Sequence, residues 1–281
     1  MNTCNKTDKS GIARPSLPPG ARLPINHCNL PSQILGGLTF QKHPVQLVLD
    51  GVHTLHKQLF DLLAGKARQE ERARLFMDYM IVQFRLHQLQ DAGLMHGGGR
   101  GKADYLRLLR GWLFNTEERE AAVLKAWVES RFGLLARYHN GSLRDHNSTT
   151  YQAYIAARSE GLYGTNALES QLDLLYSYCQ YELALQYSAD QHLHLYRGIN
   201  SLDNFDILAQ PDKHHATILL NNLNSFSSNR ERASEFGDFL IEADIPWQKV
   251  LYYSQLFPGM HIGEDEYLVI GGVYEVQTGY W

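Results

Sequence analysis

Residues 192–198 read HLHLYRG, and they mark the point at which the chain changes from a helical to a β-rich pattern. Polar and apolar residues alternate along this stretch, as they do in a half-buried β-strand. The later segments with strand character are FLIEADIP (239–246), KVLYYS (249–254), EYLVIGG (266–272) and VYEVQT (273–278). All are rich in Val, Ile, Leu and Tyr, so the last third of the chain is predicted to form short β-strands.

Upstream of this stretch, from about residue 43 to residue 190, the apolar residues recur with helical spacing. The positions that predict one buried face of a helix over residues 71–90 are Leu75, Tyr79, Val82 and Leu86. Thr116 stands before an acidic first turn and predicts a helix N-cap, and residues 167–187 predict another long helix. A helical half followed by a β-rich half predicts an α+β protein.

Composition narrows the class of function. The chain has 281 residues, of which 44% are hydrophobic, and a net charge of −4, which argues against a general nucleic-acid binder. Its three cysteines, Cys4, Cys28 and Cys179, form no close pair, so neither a disulfide framework nor a zinc ribbon is expected. No histidine set has zinc spacing, and no metal is expected. Without a signal-peptide segment or a membrane-spanning apolar run, we expect a soluble cytoplasmic protein.

The pattern also predicts a division of the chain. Residues 1–40 are rich in proline and predict an extended N-terminal arm. Residues 41–150 form the predicted helical region, and residues 151–281 form the predicted C-terminal core. A glycine-rich segment at residues 96–102 is similar in composition to a phosphate-binding loop. However, it follows a segment with helical spacing and lacks the Ser or Thr that such a loop needs. We interpret it as a loop between helices.

Polar residues at the ends of the predicted strands are the candidate site. Arg197 offers a planar fork of donors that suits phosphate oxygens, and Gly198 beside it allows a ligand to approach the backbone. Ser225 and Ser227 would point to the same face of a strand, where hydroxyl groups can hydrogen-bond a ribose or a carboxylate. Arg-Gly also occurs elsewhere in the chain, so a surface turn remains an alternative for Arg197. The serine stretch can also cap the next helix through Ser228 or Asn229.

Glu264 and Glu266 lie between a loop and the apolar segment YLVIGG. An acid at the mouth of a buried strand can line a cleft, whereas an acidic turn is the alternative reading. The similar pair Glu118 and Glu120 lies in a predicted helix, where the two side chains diverge and face solvent. The strand context therefore favours the pair at 264–266 as the functional one.

Together these residues resemble the R-S-E class of mono-ADP-ribosyltransferases over roughly residues 190–281. The matching elements are Tyr196-Arg197-Gly198, Ser225-Phe226-Ser227 in place of the usual Ser-Thr-Ser, and Glu264-x-Glu266. More of the chain, including YRGIN, SFSSNRERASEFGDFLIEADIP and PGMHIGEDEYLVIGG, is similar to the bacterial NAD–dinitrogen-reductase ADP-ribosyltransferases. The resemblance implies a core with the β-sandwich of the ADP-ribosyltransferases.

The resemblance also implies a reaction and roles for the carboxylates. NAD would be the substrate, and ADP-ribose would pass to a protein arginine with release of nicotinamide. Glu266 would lie beneath the ribose, stabilise its developing positive charge and hydrogen-bond the 2′-hydroxyl. Glu264 would orient the acceptor guanidinium and help to remove its proton.

The same resemblance implies how NAD is held. Arg197 would bind the phosphates, and the backbone of Gly198 would meet the nicotinamide amide. Ser225 would position Glu266 and the ribose, with Ser227 on the same side of the strand. Phe236 would stack on nicotinamide, although a phenylalanine in the hydrophobic core is the alternative.

The implied protein substrate is dinitrogenase reductase, the nitrogenase iron protein, whose modification switches nitrogen fixation off. A PII-type nitrogen signalling protein is the implied regulator, and the helical region would serve docking and regulation. Two other readings remain open from the sequence. One is an NAD glycohydrolase or a transferase acting on another acceptor, and the other is a catalytically silent binding module.

Overall fold

The computed structural model describes residues 16–86, 104–163, 165, 167–202, 205–260 and 265–280. The α-helices are α1 (Ser32–Leu35), α2 (Leu38–Lys42), α3 (Val52–Leu55), α4 (Lys57–Ala64), α5 (Gln69–Phe84), α6 (Tyr105–Phe114), α7 (Arg119–Phe132), α8 (Thr149–Leu162), α9 (Leu168–Ala184) and α10 (Arg230–Ser234). The strands are β1 (His192–Ile199), β2 (Asp206–Ala209), β3 (His215–Ser227), β4 (Phe239–Pro246), β5 (Val250–Tyr253) and β6 (Glu266–Tyr280). Helices that precede an antiparallel sheet confirm the predicted α+β class.

The sheet has the strand order β2-β3-β1-β4-β6-β5, with a further pairing between β3 and β6. β1 pairs with β4 along its whole length, and β3 pairs with β6 from His215 to Ser227. β1 also pairs with β3 at Tyr196 and Ser227, while β4 pairs with the far end of β6. Strands β1, β3, β6 and β4 therefore form a closed circuit of pairings that brings both ends of β6 to the same group of strands.

The observed strands match the predicted ones at β1 and β4 but not at the C-terminal end. EYLVIGG and VYEVQT form one continuous strand, β6, and not two. Gly271 and Gly272 lie within this strand, opposite the register shift between Leu220 and Leu223 of β3. A Cβ atom at Gly271 would lie 1.7 Å from the backbone oxygen of Asn221, so glycine permits the close approach of the two strands here. The glycine pair thus marks an irregularity inside a strand and not a break between strands.

The predicted buried face of α5 is wrong by one residue. Its buried apolar side chains are Ala73, Phe76, Met80 and Phe84. Leu75 and Tyr79 lie at the edge of this face, and Val82 is 78% exposed. The ring of Phe76 stacks on Tyr178, with 4.1 Å between the ring centroids. The large aromatic residue takes the central position because it buries the most apolar area.

The predicted N-cap at Thr116 is also wrong. Helix α7 begins at Arg119, and its N-cap position is Glu118, which makes no side-chain capping bond. The backbone oxygen of Thr116 accepts a hydrogen bond from the buried ammonium of Lys125 instead, at 2.9 Å. The turn between α6 and α7 therefore provides an acceptor for a buried cation and does not cap the helix.

Helix α9 connects the helical half to the sheet. It is buried around most of its circumference, as expected for a helix enclosed by other elements. The hydroxyl of Tyr176 donates to the backbone oxygen of Gln248 at 2.9 Å, and the amide of Gln180 donates to that of Val250 at 2.8 Å. These bonds fix α9 against the start of β5.

The N-terminal segment from residue 16 onward packs on this core through buried apolar residues, including Leu17 and Leu35. The backbone N–H of Val273 in β6 donates to the oxygen of Gly36 at 2.8 Å. The Gln41 amide donates to the backbone oxygens of Asp244 and Glu275 at 3.1 Å, and its oxygen accepts from the Glu275 N–H at 2.8 Å. Gln41 therefore continues the hydrogen-bonding between β4 and β6 beyond the last residues at which these strands pair directly.

None of the helices in the described ranges is both long and apolar enough to cross a membrane.

A buried ion pair between α5 and α9 gives a stability prediction. Arg72 meets Glu182, which is fully buried, through two bonds of 2.7 and 2.8 Å. Arg72→Met would leave the Glu182 carboxylate buried without its partner, so the free energy of unfolding should fall by about 3–5 kcal/mol. Urea denaturation measures this change.

The control is Arg68→Met, because Arg68 pairs with Glu71 on the surface of the same helix region, where its side chain is 73% exposed. That variant should unfold like the wild type, since solvent screens the pair. Equal destabilisation by both substitutions would contradict a special role for the buried pair.

Candidate active site

Arg197 lies at the end of β1, where β1 meets β3. Its Nη1 donates to the backbone oxygen of Ser225 at 2.7 Å, so the guanidinium group bridges the two strands. Its Nε is buried and has no hydrogen-bond partner among the residues that the structure describes. Burial lowers the pKa of Arg197, and the nearby carboxylates of Glu266 and Glu117 oppose this shift. Arginine keeps its charge in such surroundings, so this side chain places a fixed cation with an unused donor beside the strand ends.

The pairing of β3 with β6 brings the serine and glutamate motifs together. Ser227 is the register partner of Glu266, and Ser225 is that of Leu268. This register makes Ser225 and Glu266 diagonal neighbours on one face of the strand pair, within reach of each other's side chains. Burial raises the pKa of Glu266, whereas the Ser225 hydroxyl and the charge of Arg197 oppose the increase. A carboxylate, a hydroxyl and a cation thus lie close together, each partly buried.

These residues line one cavity of about 540 Å³, a size suited to a small-molecule ligand. The members of the predicted site on its wall are Arg197, Gly198, Ser225, Ser227, Phe236 and Glu266. The structure therefore brings together every predicted site residue that it describes. Glu264 lies outside the described residues, as does the glycine-rich segment at 96–102.

Gly198 has a structural reason to be glycine. A Cβ atom at this position would lie 2.0 Å from the backbone oxygen of Ala233 in α10. The prediction assigned this space to a ligand, but the backbone of α10 fills it. Gly198 still lines the cavity, so its backbone remains available to a ligand from the other side.

Helix α10 holds the outer wall of the cavity. Asn229 is its N-cap, and its side chain accepts from the N–H groups of Glu231 and Arg232. The sequence suggested Ser228 or Asn229 as the N-cap, and Asn229 is the one that caps the helix. The backbone N–H of Asn229 in turn donates to the Ser227 hydroxyl at 3.0 Å. Phe236 follows this helix and is 74% exposed, so the alternative that it lies in the hydrophobic core is wrong. An exposed aromatic ring on the wall of a cavity is available to stack on a ligand.

The opposite wall comes from residues 112–116 at the end of α6, which the sequence analysis did not include in the site. The indole N–H of Trp112 donates to the Ser225 hydroxyl oxygen at 2.9 Å. A buried tryptophan needs an acceptor for its N–H, and in the sequence this need is the one indication that Trp112 bonds to another part of the chain. No spacing rule identifies that acceptor, because 113 residues separate the pair.

A second cavity of about 550 Å³ adjoins the first and shares Trp112, Thr116 and Arg197 with it. Its other charged lining residues are Glu117, Lys125, Arg137, Arg144 and Asp206. Arg137 and Arg144 both pair with Asp206, which holds the two guanidinium groups at one edge. The cations outnumber the acids on this wall, which favours an anionic ligand.

Lys125 is the most buried of these cations, with 1% of the residue exposed. Its ammonium donates to the backbone oxygens of Thr116 at 2.9 Å and Tyr138 at 3.1 Å. Burial lowers the pKa of Lys125 to about 8, with Glu117 opposing the shift. The same burial, together with Lys125, lowers the pKa of His139 to about 4, so His139 is neutral at physiological pH. This cation supports the turn between α6 and α7, which forms one wall of both cavities.

Within the described ranges, no cluster of three or more His, Cys, Asp or Glu residues is arranged to hold a metal ion. Cys28 and Cys179 are both buried free thiols. Burial raises the pKa of both thiols, which disfavours the reactive thiolate. The chemistry available at the first cavity is therefore that of Arg197, Ser225 and Glu266. Such a set can bind a phosphate-bearing ligand and stabilise positive charge that develops beside the carboxylate.

Comparison with known proteins places this geometry in context. The family model described as dinitrogenase reductase ADP-ribosyltransferase (DRAT) matches residues 25–278. A curated relative, the NAD(+)–dinitrogen-reductase ADP-D-ribosyltransferase of Rhodospirillum rubrum, is 36% identical over 268 residues. The alignment covers 93% of this chain and 97% of the relative. No solved structure matches the chain.

The contact between Gly198 and α10 gives a prediction for the site. Gly198→Ala would force α10 away from β1, because the new Cβ meets backbone and not a flexible side chain. The free energy of unfolding should fall by about 1–3 kcal/mol, the usual cost of overpacking. Thermal unfolding measures it, and the same shift should displace Phe236 from the cavity wall.

Gly279→Ala is the matched control, since no atom lies within 4 Å of the Cβ that it would add to the same sheet. That variant should keep the stability of the wild type. A Gly198→Ala protein with wild-type stability would contradict the tight packing of α10 on β1.

Proposed function

The chain belongs to the dinitrogenase reductase ADP-ribosyltransferase family, and we propose that it transfers ADP-ribose from NAD to an arginine of dinitrogenase reductase. The observation that carries the proposal is the meeting of Arg197, Ser225 and Glu266 in one cavity. Family membership supports the reaction and the protein substrate. The cavity supplies the groups that the reaction needs.

Glu266 is the proposed catalytic carboxylate. Cleavage of the bond between ribose and nicotinamide builds positive charge on the ribose, as in glycoside hydrolysis. A carboxylate beneath that ring stabilises the charge, and its low-dielectric surroundings strengthen the effect. Glu266 is partly buried on the cavity wall, where the neighbouring Ser225 hydroxyl lowers its pKa and is proposed to orient it. The same carboxylate would accept a hydrogen bond from the ribose 2′-hydroxyl.

Arg197 is the proposed phosphate ligand. The support is its buried Nε, whose N–H meets no acceptor within the described part of the chain. The second cavity, with its excess of cations, would hold the remaining anionic part of NAD, since Arg197 lines both cavities. The Gly198 backbone would meet the nicotinamide amide. The exposed ring of Phe236 would stack on the nicotinamide, and Ser227 would line its pocket.

The acceptor arginine poses a separate chemical problem, because a free guanidinium has a pKa above ~12 and is a poor nucleophile. Glu264 is the proposed group that orients this guanidinium and helps to remove its proton. Its position two residues before Glu266 supports the assignment. Positive charge on the acceptor also complements the negative charge of a carboxylate.

The core is proposed to have the β-sandwich of the ADP-ribosyltransferases, which the closed circuit of β1, β3, β6 and β4 supports. The division into an arm over 1–40, a helical region over 41–150 and a catalytic core over 151–281 stays a prediction. Docking of dinitrogenase reductase and control by a PII-type signalling protein are proposed for the helical region. This role of the helical region is supported by residues 112–116, which belong to the region and line the cavity.

An NAD glycohydrolase, or a transferase with another acceptor, is the second candidate. The same carboxylate would serve both reactions, since water can replace the acceptor once the glycosidic bond breaks. The presence of a second acid at Glu264 favours an arginine acceptor over water. The two candidates differ in what receives ADP-ribose, and one assay distinguishes them.

The assay follows labelled ADP-ribose from NAD to purified dinitrogenase reductase and, in parallel, the release of nicotinamide. Glu266→Gln should lower both rates by about 10²–10³-fold or more, because the charge beneath the ribose is lost. Glu264→Gln should lose transfer to arginine while it keeps nicotinamide release. Glu235→Gln is the matched control, since Glu235 lines the same cavity and has a 60% exposed side chain.

Equal activity of Glu266→Gln and the wild type would refute the assignment of the catalytic carboxylate. Nicotinamide release without label on the target would support the glycohydrolase reading. The absence of both, with the regulator also added, would favour the silent binding module.

A second prediction concerns Arg197. Arg197→Lys should raise the KM for NAD roughly tenfold, since an ammonium cannot bridge Ser225 and the ligand with a planar fork. Steady-state nicotinamide release measures KM and kcat. Arg158→Lys, which alters an ion pair with Glu129 away from both cavities, should leave KM unchanged. An unchanged KM in Arg197→Lys would contradict the phosphate-binding role.

A further inference from the structure

We propose that Trp112 is a positioning residue for the reaction, because it fixes the Ser225 hydroxyl that holds the Glu266 carboxylate. The inference rests on the proposed role of Glu266 in NAD cleavage. It adds a residue from the helical half of the chain to the set that determines the geometry of the carboxylate. Trp112 does not need to touch the substrate for this role.

The direction of the hydrogen bonds carries the argument. An indole N–H can only donate, so the Ser225 oxygen must accept in the 2.9 Å bond from Trp112. Ser225 and Glu266 are diagonal neighbours on one face of β3 and β6, and Ser225 lowers the pKa of Glu266. Because a carboxylate can only accept, the serine hydroxyl is the donor in the proposed bond to Glu266. The chain of bonds therefore runs from Trp112 through Ser225 to Glu266. Each donor polarises the next, which strengthens the final bond.

Ser225 is held on its backbone as well as on its side chain. Its backbone oxygen accepts from Arg197 at 2.7 Å, while its side chain lies between Trp112 and Glu266. Without the indole N–H, the hydroxyl could rotate and donate elsewhere. The backbone would remain in place, so the expected loss is one of orientation and not of the strand.

Trp112 is itself held where α6 packs against α7. It is 2% exposed and lies near the end of α6. A Cβ at the neighbouring Gly111 would lie 2.5 Å from the Cβ of Glu120 in α7, so glycine lets the two helices approach closely. The Lys125 ammonium lies 5.8 Å from the centre of the Trp112 ring. A movement of α6 would therefore withdraw the donor from Ser225.

The charged and titratable groups around Glu266 come from several elements. Among the residues that the structure describes, they include Arg197 and Tyr196 on β1, Tyr252 on β5, Arg232 on α10 and Glu235 directly after it. A substitution of Trp112 leaves all of these groups in the protein. A change in the pKa of Glu266 would therefore report on the proposed hydrogen bond from Ser225. Loss of the ordered bond should move the pKa of Glu266 upward, since that bond lowers it.

The test compares Trp112→Phe with Trp127→Phe. Both tryptophans are buried, and each donates its N–H, Trp127 to Asp173 at 2.7 Å. Trp127 lines neither cavity, so its variant controls for the loss of a buried hydrogen bond. Two quantities are measured in each protein: kcat for nicotinamide release, and the pKa of Glu266 from the carboxyl carbon resonance of protein labelled at glutamate. Glu266→Gln assigns that resonance.

Trp112→Phe should lower kcat about tenfold, the effect of one lost hydrogen bond on the reaction barrier. It should also raise the pKa of Glu266, so that activity is lost at a higher pH as the solution is acidified. Trp127→Phe should lose stability but keep both kcat and the Glu266 titration of the wild type.

A Trp112→Phe protein with the wild-type pKa of Glu266 would overturn the proposal, even if kcat fell, because packing alone would then explain the loss. Equal loss of kcat in both variants would overturn it as well. If the wild type releases no nicotinamide, the proposed function fails, while the titration of Glu266 still decides whether Trp112 acts on it.

Discussion

The antiparallel pairing of β3 with β6 is the constraint on which the site depends. It sets Ser225 and Ser227 beside the first residues of β6, so Glu266 enters the cavity next to a serine that lies far from it in the chain. The register shift at residues 220–223 is part of the same constraint, because the irregular backbone points two asparagines at the helical half. The Asn222 amide donates to the backbone oxygens of Lys125 and Leu134, and the Asn221 side chain accepts from the Arg137 N–H. The strand that carries the serines is therefore tied directly to the helices that form the other wall.

Burial gives this small group of polar residues its chemical character. A carboxylate without much water is costly to ionise, and the bonds from Ser225 and the charge of Arg197 offset part of that cost. If positive charge develops on a ribose beside Glu266, the negative charge of the carboxylate stabilises it. With the proposed role of Glu266, the arrangement would stabilise the transition state more than the ground state, which is the condition for catalysis. Arg197 contributes a fixed charge that both cavities share, so one side chain can couple binding of the diphosphate to the position of the ribose.

The sequence predicted which residues meet in the first cavity better than it predicted their surroundings. Arg197, Ser225 and Glu266 could be identified because each lies at a strand end in a recognisable local pattern. The continuous strand β6 was not predicted, since Gly271 and Gly272 resemble a turn until the partner strand is known. The prediction of the buried face of α5 was wrong because spacing alone does not show whether Phe76 or Leu75 lies at the centre of the core. Trp112 could not be assigned, since its acceptor depends on how the helical half folds onto the sheet. Long-range contacts of this kind leave no periodic signal in the chain.

The central claim is that NAD binds with its nicotinamide ribose against Glu266 and its phosphates at Arg197. A crystal structure of Glu266→Gln with intact NAD tests it most directly, because the substitution slows cleavage and keeps the shape of the side chain. The account predicts that the ribose lies within hydrogen-bonding distance of the side chain at position 266, with the diphosphate on the Arg197 guanidinium. NAD bound with its ribose away from position 266, or in a cavity that Arg197 does not line, would contradict the account.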